Sequence, residues 1–386
     1  MAQQNPLSQS TTSFSLDFFN KLSENNKTGN IFFSPFSISS ALAMVMVGAR
    51  SNTLIQISEC LKLQDCQDNI HSSFGQLLRA LNKPGASFAL SVANRLYGEQ
   101  SYQFIQDFLT QTREHYSAEL EPVDFRTKHE DARVKINSWV EKQTEGKIKD
   151  VVAKDAVNAM TRLVLVNAIY FKGTWNEPFL PVRTHDATFR LNKRETKPVK
   201  MMKQKTYFPY AFIPEVNCHI LEMPYKGKDL SMLIFLPEDI EDDTTGLEKL
   251  EETLTYETFA EWTHPSKMSE RREVEVSLPR FKMEESYDLK LILTSMGMKD
   301  AFDETKCDLS GMSKAKDLVV SKATHNAFVE VNEEGTEAAA TTAFYFELQC
   351  YNSGLVHFVA DHPFLFFIRH NATMTLLFAG RFCSPV

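Results

Sequence analysis

The chain has 386 residues, of which 43% are hydrophobic and 24% are charged. This composition is typical of a folded globular protein and excludes a disordered chain, a collagen and a small disulfide-stabilised scaffold. The formal net charge of −8 argues against a broad nucleic-acid-binding surface, although it is compatible with a local basic patch.

The first thirteen residues have neither a basic region nor an apolar run, so we expect no cleavable signal peptide. No segment approaches the roughly 18 uninterrupted apolar residues that a transmembrane helix needs. The six cysteines have neither C-x-x-C nor metal-ligand spacing. We therefore expect a cytoplasmic protein with reduced thiols, no metal site and no cofactor. Only Cys60 and Cys66 are close enough in sequence to suggest a pair that could form under oxidation.

The predicted elements begin with helices. Phe14–Leu22 has an apolar stripe at helical spacing. Ser34 and Pro35 are typical of a helix cap and first turn, and the following residues are apolar on every side, which predicts a buried helix. A third helix is predicted over Asp131–Gln143 and ends near Gly146.

Strands dominate the rest of the chain. Arg162–Gly173 is rich in β-branched and aromatic residues, which predicts a strand buried on both faces. Alternation and turn residues predict six further strands: Cys218–Pro224, Leu230–Pro237, Val274–Leu278, His325–Val331, Phe364–Ile368 and Met374–Gly380. Strands and helices interleave with no intervening linker, so we expect one α+β domain that spans residues 1–386.

Motifs for phosphate binding, dinucleotide binding, zinc proteolysis and the hydrolase nucleophile turn are absent from the sequence, so we expect no enzyme. The segment Lys193–Lys205 contains six basic residues. These lysines fit either a polyanion-binding patch or a solvated strand on which lysine prevents edge association. We favour the solvated strand.

One segment, Glu333–Leu348, fits neither ordinary core nor ordinary loop. Its alanines would support a short helix, whereas its threonines and aromatic residues favour a strand. From Thr336 to Gln349 the even positions carry no charge and become apolar, while the odd positions hold both charges and the amide. This alternation predicts a half-buried strand of about 45 Å, far longer than a typical strand and without turn residues.

Several motifs in the chain resemble those of the serpin family. EEGTEAAA, residues 333–340, resembles the reactive-loop hinge of inhibitory serpins, and DHPFLFFI, residues 361–368, resembles the C-terminal signature. Other matching stretches extend the resemblance over essentially the whole chain: NIFFSPFSISSALAM, LVNAIYFKGTW, LEMPYKGKDLSMLIFLP and VSLPRFKMEESYDL. The short N-terminus is similar to that of the ovalbumin-like intracellular branch.

The resemblance implies a serpin fold with three β-sheets, about nine helices and an exposed reactive-centre loop at 334–354. It implies a monomer that acts as a suicide substrate for one serine protease of the elastase, chymotrypsin or cathepsin G type. In this mechanism cleavage lets the loop enter the central sheet while the protease stays attached in a 1:1 covalent complex. No nucleic-acid or membrane partner is implied, and any release from the cell would follow a non-classical route.

The same resemblance assigns three groups of residues. The hinge consists of Gly335, Thr336, Glu337, Ala338, Ala339, Ala340, Thr341 and Thr342. The shutter residues, where the central sheet opens, are Ser34, Ser37, Asn167 and His325. The breach residues, where insertion begins, are Trp175, Arg280 and Glu333, and we expect Arg280 and Glu333 to pair. For the shutter residues, a purely structural role as satisfied core polar groups is compatible with this assignment.

Family spacing places the scissile bond at Gln349–Cys350. The segment from Gly335 to Asp361 is about one residue longer than in similar serpins, so Cys350–Tyr351 is the alternative bond. Two alternative functions follow from the family: a serpin directed at a cysteine protease, and a non-inhibitory serpin that acts as a binding or chaperone-like protein. The small side chains at 338–341 favour an inhibitor, because they enter a sheet without a steric barrier.

Overall fold

A computed structural model describes residues 6–64, 69–83, 86, 88–268, 270–336 and 354–385. This part of the chain contains nine α-helices and fifteen strands, numbered here in chain order. The helices are α1 Pro6–Asn25, α2 Pro35–Gly48, α3 Ser51–Cys60, α4 Ile70–Leu81, α5 Gln106–Tyr116, α6 Phe125–Gln143, α7 Glu248–Thr253, α8 Tyr256–Trp262 and α9 Leu289–Ser295. The strands are β1 Ile31–Phe33, β2 Phe88–Glu99, β3 Leu120–Val123, β4 Leu163–Thr174, β5 His185–Arg190, β6 Thr196–Ile213, β7 Cys218–Pro224, β8 Leu230–Pro237, β9 Arg271–Pro279, β10 Phe281–Asp288, β11 Val320–Val331, β12 Gly335–Thr336, β13 Val356–Val359, β14 Phe364–His370 and β15 Thr375–Phe382.

The central sheet has the strand order β10-β11-β4-β2-β3, with the short β12 beside β4. Strands β4 and β11 are neighbours and run parallel, from the pair Leu163–Val320 to the pair Tyr170–Phe328. We call the boundary between these two strands the seam. A two-residue turn cannot join parallel strands, so the chain leaves β4 and returns to β11 only after the long excursion through β5–β10.

Strand β4 is apolar on both faces because each face lies in a separate core. Its odd-numbered residues, such as Leu165 and Ile169, pack into the main core of the molecule. Its even-numbered residues, such as Val166 and Ala168, pack into a second core beneath α6. The prediction of a strand buried on both faces is confirmed, and α6 begins at Phe125, six residues before the expected start.

The remaining strands form a nine-stranded sheet in the order β1-β15-β14-β8-β7-β6-β9-β13, with β5 beside β6. The 18-residue strand β6 connects the two parts of this sheet. Its residues 196–209 pair with β5 and β9, and Tyr210–Ile213 pair with β7. The nine strands therefore form two sheets that share one strand, which together with the central sheet gives the expected three.

Helix α2 lies beneath the central sheet and is buried along nearly its whole length. Ser34 is its N-cap, since the Ser34 Oγ accepts a hydrogen bond from the Ser37 N–H at 3.1 Å. Pro35 occupies the first turn, where its missing N–H costs nothing. The cap, the proline and the buried surface all agree with the sequence prediction.

The basic segment at 193–205 runs into β6, and carboxylates accompany most of its lysines. Their ion pairs are Lys193–Asp243 at 3.4 Å, Lys200–Asp186 at 2.7 Å, Lys203–Glu275 at 3.1 Å and Lys205–Glu273 at 3.5 Å. Because these partners offset the positive charge, the geometry favours a solvated strand over a polyanion patch.

The described cysteines, Cys60, Cys218, Cys307 and Cys383, are free thiols, and the suggested partner of Cys60, Cys66, lies outside the described residues. Within the described ranges, no three His, Cys, Asp or Glu side chains group as a metal site would require. No helix in this part of the chain combines the length and apolarity needed to cross a bilayer.

Candidate functional site

A tight hairpin joins β11 to β12 at the upper end of the seam. The Asn332 N–H donates to the Gly335 carbonyl at 2.8 Å, and the Asn332 Oδ1 accepts from the N–H groups of Glu334 and Gly335 at 3.1 and 3.2 Å. The chain then turns onto β4, where Gly335 and Thr336 pair antiparallel with Thr174 and Gly173. The first hinge residues therefore already lie on β4, above the last β4–β11 pair.

Gly335 fits this position because it has no side chain. Its φ of +135° is one that L-residues rarely adopt, and a Cβ there would collide with the Gly173 carbonyl oxygen and lie 2.7 Å from the Trp175 nitrogen. The close approach of the hinge to β4 thus depends on glycine at this position.

Trp175 holds the hairpin from the β4 side. Its backbone N–H donates to the Glu334 carbonyl at 2.7 Å, and its indole Nε1–H donates to the Asn332 carbonyl at 3.1 Å. The buried indole stacks on Tyr225 with ring centroids 4.6 Å apart and planes inclined by 13°. One aromatic pair therefore supports the turn that joins β11 to β12.

Glu333 extends the same cluster toward the surface. Its Oε1 accepts a hydrogen bond from the Thr184 hydroxyl at 2.7 Å and lies 3.8 Å from the Arg280 guanidinium. Its carbonyl accepts from the Phe179 N–H at 2.7 Å. Arg280 is half exposed, so this ion pair contributes little to stability. The three breach residues nevertheless lie together at the end of the seam.

The four shutter residues form one buried hydrogen-bond network at the middle of the seam. His325 on β11 and Asn167 on β4 are register partners, and the His325 Nδ1 lies 2.5 Å from the Asn167 Oδ1. The Asn167 Nδ2 donates to the Ser37 Oγ at 2.6 Å, and the Ser34 N–H donates to the His325 Nε2 at 3.0 Å. The Ser34 hydroxyl donates to the Leu377 carbonyl at 2.6 Å. The network therefore ties both strands of the seam to the start of α2 and to β15.

This network fixes the protonation of His325. The Nε2 accepts from a backbone N–H and so carries no proton, which leaves the Nδ1–H to donate to the Asn167 Oδ1. Burial lowers the pKa of His325 to about 3, because the interior disfavours the imidazolium. The ring is therefore neutral, and the Tyr287 ring stacks on it at a centroid distance of 6.3 Å.

The family model described as serpin, serine protease inhibitor, matches residues 9–385. The chain belongs to the serpin family. Leukocyte elastase inhibitors from Equus caballus and Homo sapiens are 55% and 54% identical to it over 379 residues, which cover 98% of this chain and 99% of each relative. Uncleaved ovalbumin has a TM-score of 0.90 at 38% identity, covering 99% of this chain and 100% of that chain. Maspin has a TM-score of 0.91 at 36% identity, covering 98% of both chains.

These similarities confirm the expected family, its ovalbumin-like branch and the α+β serpin fold. The rest of the predicted site lies outside the described residues: Glu337, Ala338, Ala339, Ala340, Thr341, Thr342, Gln349, Cys350 and Tyr351. The chain is described again from Gly354, two residues before β13. Strand β13 pairs in parallel with β9 and forms the last strand of the nine-stranded sheet.

Sequence reasoning missed four residues that support this serpin's site: Thr184, Tyr225, Tyr287 and Asn332. Asn332 has a readable signal, because asparagine directly after a strand commonly caps a turn through its side chain. The other three contact the site from distant parts of the chain, and no local pattern in the sequence indicates those contacts.

Proposed function

We propose that this serpin inhibits a serine protease by acting as its suicide substrate. The observation that carries the proposal is the antiparallel pairing of Gly335 and Thr336 with the upper end of β4, directly above the parallel seam. A strand that continues this pairing would run antiparallel to both β4 and β11. Entry of the cleaved loop would thus convert one parallel contact into two antiparallel ones, which are slightly more stable per residue.

The register of this pairing agrees with the alternation of uncharged and charged positions in the loop sequence. If β12 continues along β4 without a bulge, Ala338, Ala340 and Thr342 fall opposite Phe171, Ile169 and Asn167. The side chains of Phe171 and Ile169 belong to the main core. The uncharged even positions of the loop would therefore enter the core, and the odd positions, which include the charged Glu337, would face the opposite side of the sheet.

The energy of such an insertion is large compared with ordinary protein stability. About ten new ladder hydrogen bonds, at roughly 1 kcal/mol each, together with buried apolar surface, give on the order of 10 kcal/mol. Serpin loop insertion is an established example of strand addition in this family. The acylated protease would be carried along, and an incompletely formed oxyanion hole would stop hydrolysis of the acyl-enzyme.

The other assignments belong to the same proposal. The shutter residues would release β4 from β11 when the bond between His325 and Asn167 breaks, and the breach residues would admit the hinge first. We propose Gln349–Cys350 as the reactive bond, with Cys350–Tyr351 as the alternative. The partner would be one elastase-like or chymotrypsin-like protease in a 1:1 covalent complex with a monomeric, one-domain, cytoplasmic inhibitor. The similarity of the chain to leukocyte elastase inhibitors supports this choice.

A denaturing gel tests the proposal directly. We expect incubation with elastase, chymotrypsin or cathepsin G to give a band at the summed mass of both proteins, because the acyl bond survives denaturation. Mass spectrometry of the released C-terminal peptide would identify the cleaved bond. Clean cleavage by every protease, without an adduct, would contradict the proposal and favour a non-inhibitory serpin.

A further inference from the structure

Most of the cation–π contacts in the described part of the chain lie on the α6 side of the central sheet. Arg95 on β2 lies 4.2 Å from the centre of the Trp139 ring on α6. Lys147, just beyond the end of α6, and Lys282 on β10 contact rings that the sheet itself carries. A cation within about 6 Å of a ring centre is attracted by the negative face of the ring. The two lysines differ in the strands that they contact, and this difference matters at the seam.

The rings under Lys147 lie on opposite sides of the seam. Tyr170 on β4 and Phe328 on β11 are register partners, and their ring centroids are 5.6 Å apart. Both side chains are buried in the second core beneath α6. The Lys147 Nζ is 5.7 Å from each of the two centroids. One ammonium group therefore contacts a ring on each strand of the seam.

The backbone of Lys147 is fixed to the end of α6. Thr144 is buried at the C-cap, and its carbonyl accepts a hydrogen bond from the Lys147 N–H at 2.9 Å. The Ile148 N–H donates to the Thr144 Oγ1 at 3.2 Å, and the Ile148 side chain packs into the second core. Between them Gly146 adopts a φ of +77°, which glycine tolerates in such a turn. The ammonium group of Lys147 thus links the end of α6 to both strands of the seam.

Opening of the seam would break this double contact. Neighbouring strands of a sheet are about 4.8 Å apart, so a strand that enters between β4 and β11 would move the two rings from 5.6 Å to about 10 Å apart. A cation above the sheet could then contact one ring but not the other. Lys282 would keep its contact, because its Nζ lies 4.9 Å from the Phe328 centroid and β10 is paired with β11 along its whole length. Of these two lysines, only Lys147 loses a contact when the seam opens.

We infer that Lys147 is a positioning residue that holds β4 and β11 together in the intact protein by contacting a ring on each strand. This inference rests on the proposed function, in which the seam has to open before the loop can enter. The shutter network holds the seam on the face toward α2, through His325 and Asn167. Lys147 acts on the opposite face, three residues closer to the breach on each strand. The two faces of the seam are therefore held by different interactions, hydrogen bonds on one and a cation between two rings on the other.

Hydrogen exchange of the intact protein measures this contact. Native-state amide exchange reports local opening, so the experiment follows the amides of β4 and β11 by mass spectrometry. We expect Lys147→Met, which keeps an unbranched stem but removes the charge, to speed exchange at the seam. The expected factor is about two- to five-fold, the value of one cation–π contact at a partly exposed site. Lys147→Arg keeps a cation at the same position and should restore the protection of the wild-type protein.

Lys282→Met is the matched control, because it removes a cation from the same Phe328 ring without bridging the seam. Its exchange at the seam should equal that of the wild-type protein. In a Phe328→Leu background only the ring on β4 remains under Lys147, so Lys147→Met should no longer change the exchange rate. Wild-type exchange in Lys147→Met, equal acceleration by the two methionine variants, or a failure of arginine to restore protection would overturn the inference.

A different measurement shows whether the proposed function fails. If cleavage of the loop by a protease leaves the Tm of the wild-type protein unchanged, the loop does not insert and the proposed function is wrong. The exchange rates are measured on the intact protein, so they decide whether Lys147 holds the seam closed whatever the result of the cleavage experiment.

Discussion

At the residue scale, the hinge depends on the absence of a side chain at Gly335. We expect Gly335→Ala to detach β12 from β4, because the positive φ is strained for alanine and the new methyl group would collide with the backbone of β4. Thermal unfolding of the intact protein should show a loss of Tm. Gly354→Ala, at the other end of the loop, is the control, because a Cβ there meets no atom within 4 Å. Equal Tm values for the two variants would show that the close approach at Gly335 is unimportant.

His325 makes the stability of the shutter depend on pH. Its pKa is lowered by burial to about 3 in the folded protein, against an ordinary value of 6.5 for histidine. A group with a depressed folded pKa binds its proton more readily when unfolded, so the stability from neutral His325 is complete above about pH 6.5 and declines as the pH falls toward 3. A shift of this size corresponds to at most about 5 kcal/mol.

We therefore expect the free energy of unfolding of the wild-type protein, measured in guanidinium between pH 7 and pH 4, to decline more steeply than that of His325→Gln. The glutamine variant should be less stable at pH 7, where the wild-type network is intact. Parallel pH profiles for the two proteins would show that His325 is not buried as a neutral base in solution.

At the element scale, hydrophobic pattern predicted those elements whose burial is uniform. Helix α2 and strand β4 are apolar on every side in the sequence because each lies between packed layers, and both were found where the pattern indicated. The pairing of β12 with the end of β4 could not be predicted in this way. It depends on the close approach of Gly335 to a strand some 160 positions earlier, which no local pattern records.

Like the β12 pairing, the hydrogen bonds of the shutter could not be predicted from a local sequence pattern. The family motif named Ser34, Ser37, Asn167 and His325, but their connection through the two ring nitrogens of His325 required three-dimensional contacts. Tyr287 and Tyr225, which stack on His325 and Trp175, occupy strand and turn positions that look ordinary in the sequence. Residues that contact a site from elsewhere in the fold thus escape sequence reasoning even where the site itself does not.

Strand β6 provides a prediction about polyanions. Carboxylates on β5 and β9 pair with its lysines, so its net field is weak despite its basic sequence. We expect the wild-type protein to elute from a heparin column below about 0.15 M salt. At that concentration the Debye length is about 8 Å, so only charges close to the column ligand would still attract it. The triple variant Asp186→Asn, Glu273→Gln, Glu275→Gln should elute at higher salt. Retention of the wild-type protein well above physiological salt would instead support a polyanion patch.

At the scale of the whole molecule, the proposed inhibitor has two competing fates after cleavage. Its loop enters the seam and the protease is trapped, or the acyl-enzyme is hydrolysed first and both proteins separate. Under the proposed mechanism the competition would be decided at the upper end of β4, because residue 336 already pairs there and each later residue of the loop would have to follow it along β4. The rate of this extension would therefore control the outcome for the entire protein.

We expect Thr336→Arg to convert the inhibitor into a substrate. Position 336 pairs with the buried Gly173, and taking a guanidinium out of water at this point would cost several kcal/mol. Insertion would then be slower than hydrolysis, so a denaturing gel should show cleaved serpin, free protease and little covalent band. Thr336→Ser keeps a small hydroxyl and should retain the band. A persistent complex with the arginine variant would mean that insertion does not begin at residue 336, because a charge buried at the first step would have to delay every step that follows.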